Sequence, residues 1–429
     1  MSVVIDNKSV VTQQLLTQLQ KHAGKIEFMP DAEIVDAIRL LEDKGIPSNK
    51  HEDYKYCNIE SVFRKEFKNI EQSFNTLTSA DITPLKIEEA INIVVINGNY
   101  NEALSEKMIV KGLTVKSFTA LNPDEKSLLA SQAKPSTDAL IALNTAFTED
   151  GLFLQVDKNN VIPMPIHVIY VNSCQGSSVV NSRSFINIQA NAEVTMVESF
   201  YNIGSSKVFA NFVSEKCIGE NAMVTCVTFQ NEGPLSFSVN TNQVHIHKYS
   251  NYINNTFTLS GELVRNNHNV LLLDSNCEAH LNGLFIGTGT QQIDNHTLID
   301  HQMPHCESNE LYKGIVKDKS SGTFNGKIFV RKDAQKTNAY QSSKNILMSD
   351  DATINAKPQL EIYADDVKCS HGTSTGKIDT EALFYLKARG IGEESARKLL
   401  LQAFAKELIE KIEIQSLQER VLKLFEKVL

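Results

Sequence analysis

Residues 181–371 are a succession of short apolar segments of high β-propensity, and these segments decide the fold. The clearest are FINIQ (185–189), VTMVESF (194–200), MVTCVTF (223–229), NVLLLD (269–274), GLFIG (283–287), GKIFV (326–330), NILM (345–348) and QLEIY (359–363). Asn, Asp, Gly and Ser, which favour turns, separate them. Because no helical periodicity runs through this part of the sequence, it predicts a mainly β core.

The apolar centres of these segments recur at a nearly constant spacing of about 30 residues. The recurring pairs are Phe285 and Ile315, Val316 and Leu347, and Phe329 and Leu360. A repeat of this length indicates a solenoid with stacked coils, here a parallel β-helix. An ordinary β-sandwich gives a similar number of strands, so the pattern by itself leaves both architectures open.

Helical patterns precede the core. Residues 1–90 are predicted to form an N-terminal helical region, in which the clearest helix is Asp31–Lys44, capped by Asp31. The expected apolar face of that helix is Ile34, Val35, Ile38 and Leu41, and the stop signals after it are Gly45 and Pro47. Residues 91–180 mix β-rich pieces with one further helical stretch, 123–147, and lead into a core of residues 181–375.

The sequence becomes helical again in a C-terminal domain of residues 376–429. Asp379 or Thr380 can cap a first helix that stops at Gly390, and residues 393–412 form a second helix. The last apolar stripe consists of Leu417, Val421, Leu424, Phe425 and Val428. These helices either pack on the solenoid or present an apolar stripe to a partner protein, as in helix-in-groove recognition.

Composition excludes several classes of function. The net charge of −9 and the lack of a basic block argue against a nucleic-acid partner. No apolar stretch approaches the roughly 20 residues of a membrane-spanning helix. Seven cysteines without a C-x-x-C pair favour a reducing compartment. The chain also lacks a phosphate-binding loop, a G-x-S-x-G elbow and an H-E-x-x-H motif, so it shows no common nucleotidase or hydrolase signature.

Two short motifs carry residues that could bind a metal. HQMPHC (301–306) contains His301, His305 and Cys306, with His296 upstream, and KCSHG (368–372) contains Cys369 and His371. Thiolate and imidazole ligands together suit iron, iron–sulfur clusters, zinc or copper. HQMPHC is more typical of a polar loop between coils. For KCSHG the case for a site is stronger, because Gly372 at the boundary of the solenoid lets a second molecule approach the backbone, but composition alone still favours a structural role.

Other candidate residues are weaker. The acidic pairs Asp350-Asp351 and Asp365-Asp366 are typical of turns rather than of acid–base catalysis, since neighbours in an extended segment point to opposite sides. His245 and His247 alternate along a predicted strand and are expected at the surface.

Residues 357–400 read KPQLEIYADDVKCSHGTSTGKIDTEALFYLKARGIGEESARKLL, and this run resembles the SufB/SufD family of iron–sulfur cluster assembly proteins. KPQLEIYADDVKCSHG, followed by FYLKARGI, is more similar to the SufD branch of the family than to the SufB branch. Shorter resemblances are EDYKY (52–56), with Tyr54 where Trp is more usual, ALNTAFTEDG (142–151) and NELYKGIVKDKSSGTFN (309–325). Together they span nearly the whole chain.

The resemblance implies a mainly β fold, with an N-terminal helical and mixed region, a right-handed parallel β-helix core and a C-terminal α-helical domain. It also implies a non-catalytic scaffold subunit of a SufBCD complex, which pairs with SufB through the β-helix. The complex would assemble nascent iron–sulfur clusters, and the SufC subunit would be the ATPase. No cofactor is expected on the isolated chain; a flavin on the complex and a homodimer without SufB are further expectations.

The resemblance also assigns residues. The family's cluster-ligand histidine falls on His371 and the accompanying cysteine on Cys369, and SufB would supply most of the other ligands to a transient cluster. The helices expected to bind SufC contain Leu383, Phe384, Leu399, Leu400, Phe404 and Leu408.

A competing hypothesis is a β-helix enzyme that acts on a carbohydrate. Such an enzyme needs acidic, Arg or Lys groups along one face of the solenoid and normally carries a secretory signal. The amino end, MSVVIDNKSVVTQQLL, does not resemble such a signal, so we expect a cytoplasmic protein.

Overall fold

The computed structural model describes residues 10–22, 26–107 and 109–428. The helices are α1 (Val10–His22), α2 (Asp31–Lys44), α3 (Ile59–Glu66), α4 (Ser79–Ile82), α5 (Pro123–Lys126), α6 (Ala139–Phe147), α7 (Thr380–Ala388), α8 (Glu393–Ile409) and α9 (Gln415–Val428). The strands are β1 (Ile91–Ile96), β2 (Asn99–Tyr100), β3 (Leu113–Ser117), β4 (Leu152–Val156), β5 (Ile166–Asn172), β6 (Ser178–Ile188), β7 (Glu193–Asn202), β8 (Val208–Ile218), β9 (Met223–Asn231), β10 (Ser236–Ile246), β11 (Asn251–Ser260), β12 (Leu263–Leu272), β13 (Glu278–Gly287), β14 (Gln292–His301), β15 (Glu307–Val316), β16 (Ser321–Val330), β17 (Asn338–Leu347), β18 (Thr353–Ile362) and β19 (Lys368–Gly376).

The strands form two sheets. Sheet 1 has the spatial order β2-β1-β5-β7-β9-β11-β13-β15-β17-β19, and sheet 2 has the order β3-β4-β6-β8-β10-β12-β14-β16-β18. From β4 onward, consecutive strands alternate between the sheets, and neighbours within each sheet run parallel. This arrangement is a parallel β-helix of about eight turns, and it excludes the β-sandwich.

The repeat predicted from the sequence is one coil of this helix. Glu278, Glu307, Asn338 and Lys368 are successive register partners in sheet 1, so each coil takes up about 30 residues. The parallel ladder begins before residue 181, because β5 already pairs with β1 and β4 pairs with β6.

The corners of the coils explain the polar residues between the segments. A residue with positive φ recurs at one corner, and Asn191, Asn221, Asn276 and His305 occupy this position in different coils. Asparagine tolerates this left-handed conformation better than most residues. The Asn191 side chain donates to Asn159 and accepts from Asn221, with both hydrogen bonds at 2.9 Å. His305 is therefore an exposed turn residue, as the loop reading of HQMPHC predicts.

The N-terminal helices cover the outer face of sheet 2. Apolar residues of α1, α2, α3 and α6 pack against outward-facing residues of that sheet, such as Phe209 and Phe237. Beneath this layer lies a fully buried ion pair, in which Arg183 Nη2 is 2.7 Å from Glu215 Oε1. Glu215 also accepts hydrogen bonds from the backbone amides of Ala130, Gln132 and Ala133. The pair ties residues 130–133 to the solenoid.

Two expectations for this region need correction. The helix Asp31–Lys44 has the predicted bounds, but Pro30 rather than Asp31 is its cap, and Val35 is 56% exposed because it faces away from the core. The stretch 123–147 is not one helix: only α5 and α6 form. Pro135 disfavours helix at the residue before it, and Glu215 binds the backbone amides that a helix would use.

The C-terminal helices α8 and α9 cover part of the outer face of sheet 1. Leu408 and Phe425 are buried in one apolar cluster with Phe257 and Ile315 of the sheet. Polar contacts anchor the same helices: Lys313 Nζ lies 2.7 Å from a Glu407 carboxylate oxygen, and the Arg420 guanidinium donates to the backbone carbonyls of residues 85 and 86 at 2.7 Å. For α8 and α9 the packing interpretation is therefore correct.

Candidate functional site

The solenoid ends in two strands that each have a free edge. Among the described residues, β19 pairs only with β17, and β18 pairs only with β16. Most residues of β19 are exposed. A free strand edge offers unpaired backbone N–H and C=O groups, which can pair with a strand of another chain. We call this surface the open end.

His371 lies on the interior side of the open end. It is the register partner of Gln341, which is in turn the partner of Glu310 in the next coil. Register partners in parallel strands share a face of the sheet. Gln341 and Glu310 point into the solenoid and are buried, whereas His371 is exposed because no further coil covers it. The imidazole can thus reach a second molecule that docks here.

A buried carboxyl group lies two coils inside His371. The Glu310 side chain is hydrogen-bonded to the amide of Gln341, and burial raises its pKa to about 7. Among the described residues, one carboxyl oxygen of Glu310 and the amide oxygen of Gln341 have no hydrogen-bond partner. The sequence pattern gave no sign of this pair, because a β-helix interior is normally apolar.

Cys369 has the same orientation as His371 but a different environment. It stacks on Ala339 and packs against an apolar cluster that includes Ile328 and Val330. Burial raises the pKa of its thiol. These contacts suit a small packing residue more than a free thiolate.

HQMPHC does not form one site. His301 is buried and its Nε2 lies 2.9 Å from Ser308 Oγ, whereas His305 is exposed at a corner. His296 lies on the other side of sheet 2, 3.0 Å from Asp294. Cys306 is buried beside His301 and beside Cys277 of the previous coil. Over the described part of the chain, no group of three or more His, Cys, Asp or Glu residues is arranged to hold a metal ion.

A groove of about 750 Å³ runs along the outer face of sheet 1 next to the open end. Its lining includes His280, Asn309, Tyr340 and Ser370 from successive coils, and Lys411 after α8. At the open end the groove also reaches the interior-side residues Glu310, Gln341 and His371. His371 was predicted from the sequence, but the groove beside it was not.

The residues expected to bind SufC differ in their accessibility. Phe384 and Leu399 are 73% and 45% exposed. Leu383 is half-buried, and Leu400 and Phe404 pack partly against the cluster on sheet 1. Leu408 is 1% exposed, so its inclusion in an accessible stripe was wrong: it faces the sheet and belongs to the core. Helix α7 has no buried residue and contacts α8, so it projects from the body.

The weaker candidates have structural roles. Asp350 and Asp366 are exposed and form ion pairs with Lys377 and Lys336, as turn residues do. His247 is partly exposed and lies 2.9 Å from Asp274. Its hydrogen bonds to Cys217 and Asp274 raise its pKa to about 9.

These features define a class of protein: a two-sheet parallel β-helix with helices on both outer faces, one open end and a histidine presented there. Comparison with known families identifies it further. Residues 170–404 match the family described as "SUF system FeS cluster assembly, SufBD core domain", and residues 18–168 match the "SufBD protein N-terminal region". The chain belongs to the SufBD family of iron–sulfur cluster assembly proteins.

Individual relatives agree with this family. The chain is 30% identical to the iron–sulfur cluster assembly protein SufD of Escherichia coli, over 90% of both chains. It is 30% identical to a SufBD family protein of Synechocystis, over 90% of this chain and 88% of that protein. It is 28% identical to SufD of Bacillus subtilis, over 71% and 70% of the two chains. The resemblance to the SufD branch is thereby confirmed.

Within residues 10–22, 26–107 and 109–428, the helices lack the combination of length and apolar character that a membrane crossing requires.

Proposed function

We propose that this chain is a non-catalytic scaffold subunit that assembles nascent iron–sulfur clusters in a SufBCD complex. The observation that carries the proposal is His371, an exposed imidazole on the interior side of a free strand edge. A second β-helix that adds its strands to β18 and β19 would bury this imidazole at the seam between the two subunits. SufB is the partner that the family resemblance implies.

The cluster is cargo in this proposal. The chain contributes His371 and takes the remaining ligands from SufB, so the site opens when the subunits move apart. Cys369 shapes the wall beside the imidazole. The isolated chain should therefore neither hydrolyse ATP nor retain one cluster per monomer after anaerobic reconstitution.

SufC is proposed to bind the exposed surface of α7 and the first half of α8, where Phe384, Tyr385 and Leu399 are exposed large hydrophobic residues. Deleting residues 393–429 is a poor test, because it would also uncover the apolar face of sheet 1. Substituting Phe384 and Leu399 with Ala leaves that face covered. The matched control is Val35→Ala, since Val35, on helix α2 of the N-terminal region, is an exposed apolar residue whose exposure lies between those of Phe384 and Leu399.

The proposal is tested by co-purification of the chain with SufB and SufC, followed by an assay of SufC ATPase activity. We expect a complex of all three proteins, with ATP hydrolysis stimulated over SufC alone. We also propose a cytoplasmic location, which the cysteine content favours. Turnover of a polysaccharide by the isolated chain would instead support the enzyme hypothesis.

A further inference from the structure

Cys277 and Cys306 occupy equivalent positions in two successive coils. Each directly precedes a strand of sheet 1, and the residues that follow them, Glu278 and Glu307, are register partners. The amide of Glu307 donates to the carbonyl of Cys277 at 2.9 Å, so the ladder extends to the cysteines. Neighbouring parallel strands lie about 4.8 Å apart. That separation is within the range of about 4.4 to 6.8 Å that a disulfide spans between Cα atoms.

The two sulfur atoms also share a hydrogen-bonding environment. Both lie close to the carbonyl oxygen of Asp274, Cys277 Sγ at 3.1 Å and Cys306 Sγ at 3.2 Å. The neighbouring Cys277 side chain lowers the pKa of Cys306, and the His301 side chain lowers it further. The same contact raises the pKa of Cys277. One proton is thus more easily lost from this pair than from an ordinary buried thiol, and a thiolate is the reactive form.

We propose that Cys277 and Cys306 are an oxidisable dithiol, a modification site at which hydrogen peroxide joins the two coils through a disulfide. This site is independent of the cluster function proposed for His371, which lies on the last strand of the solenoid.

The chemistry balances with peroxide as the oxidant. The Cys306 thiolate attacks one peroxide oxygen, the O–O bond breaks, and the leaving hydroxide takes up a proton to become water, which leaves a sulfenic acid on Cys306. The Cys277 sulfur then attacks the Cys306 sulfur, the S–O bond breaks, and a second water leaves with the Cys277 proton. Two thiols lose two electrons and two protons, and one peroxide becomes two waters.

The test is peptide mapping of the folded, full-length chain after treatment with hydrogen peroxide and alkylation of the remaining thiols. Trypsin releases both cysteines in one peptide, residues 266–313, because no Lys or Arg lies between Arg265 and Lys313. We expect this peptide to lose the mass of two hydrogens and to escape alkylation. A second cleavage after Glu278 should leave its halves joined until dithiothreitol is added.

Three variants make the result specific. Cys277→Ser and Cys306→Ser should each abolish the loss of two hydrogens, whereas Cys174→Ser should behave as the wild type. Cys174 is a suitable control because it is another buried cysteine of the solenoid, hydrogen-bonded to Ser178. Circular dichroism before oxidation verifies that each protein is folded. The proposal is overturned if peptide 266–313 of the folded wild type stays fully alkylated, if its cysteines become separate sulfinic acids, or if they link two chains.

Discussion

The buried pair of Arg183 and Glu215 should be a main attachment of the N-terminal region to the solenoid, and Glu215→Ala tests this. Both side chains are 0% exposed. The substitution would leave the Arg183 guanidinium without its counter-charge, since Glu215 accepts from both Nε and Nη2. Removing one partner of a buried ion pair typically destabilises a protein by about 3–5 kcal/mol. Three backbone amides of residues 130–133 would also lose their acceptor, so we expect a loss at the upper end of this range.

The assay is denaturant unfolding monitored by far-ultraviolet circular dichroism, since the chain has no tryptophan. Glu220→Ala is the control, because Glu220 is exposed at a corner after the same strand, and it should change the free energy of unfolding by less than about 0.5 kcal/mol. The double variant Arg183→Met with Glu215→Leu should recover much of the loss, because it removes both charges together. A Glu215→Ala protein within about 1 kcal/mol of the wild type would refute the reasoning.

Three further perturbations have defined outcomes. The pKa of Glu310 is about 7 in the folded chain and about 4.5 in an unfolded one, so the folded state binds the proton of this carboxyl group more tightly. The free energy of unfolding should therefore fall by about 3 kcal/mol as the pH rises between these values. If the free energy of unfolding of Glu310→Gln, measured with denaturant, had the same pH profile as that of the wild type, this prediction would be contradicted. Leu408→Ala should destabilise the fold by about 2–5 kcal/mol. Phe384→Ala should leave the free energy of unfolding unchanged but weaken the capture of SufC in a pull-down. The reverse pattern would show that α7 is structural and that Leu408 is accessible. Cys369→Ser should reduce maturation of an iron–sulfur enzyme in cells less than His371→Ala does, and an equal or larger loss would make the thiolate a ligand.

Much of the fold follows from local pattern. The spacing of Val316 and Leu347 predicted the coil length, because these two residues are register partners in neighbouring coils. The other two predicted pairs, Phe285 with Ile315 and Phe329 with Leu360, are each one position off register. The cap of α7 was also predictable: Asp379 accepts from the amides of Glu381 and Ala382, one of the two alternatives left open.

The failures are tertiary effects. A helix over residues 123–147 was predicted from local propensity, but the carboxylate of Glu215, far along the chain, takes the amides of residues 130–133. Leu408 belonged to an apolar stripe, and only the docked structure shows that its side of α8 faces the sheet.

The sequence predicted which residue forms the candidate site, but not how that residue is oriented in the fold. KCSHG singled out His371, yet its interior orientation became visible only from its register with Gln341. Cys277 was overlooked beside Cys306 because it lies one coil earlier in the sequence. Superposing the repeat would have aligned the two cysteines.

The most direct test of the scaffold proposal is maturation of an iron–sulfur enzyme in cells whose own copy of this protein is replaced by His371→Ala. Gel filtration verifies the level of the complex, and Ser370→Ala, on the opposite face of the same strand, is the matched control. We expect His371→Ala to assemble with SufB and SufC at wild-type levels, since a single imidazole at an interface rim is seldom a binding hot spot, and to leave the enzyme without its cluster. If cells carrying His371→Ala matured the enzyme as well as wild-type cells and as well as cells carrying Ser370→Ala, the assignment of the cluster site to the open end would be contradicted.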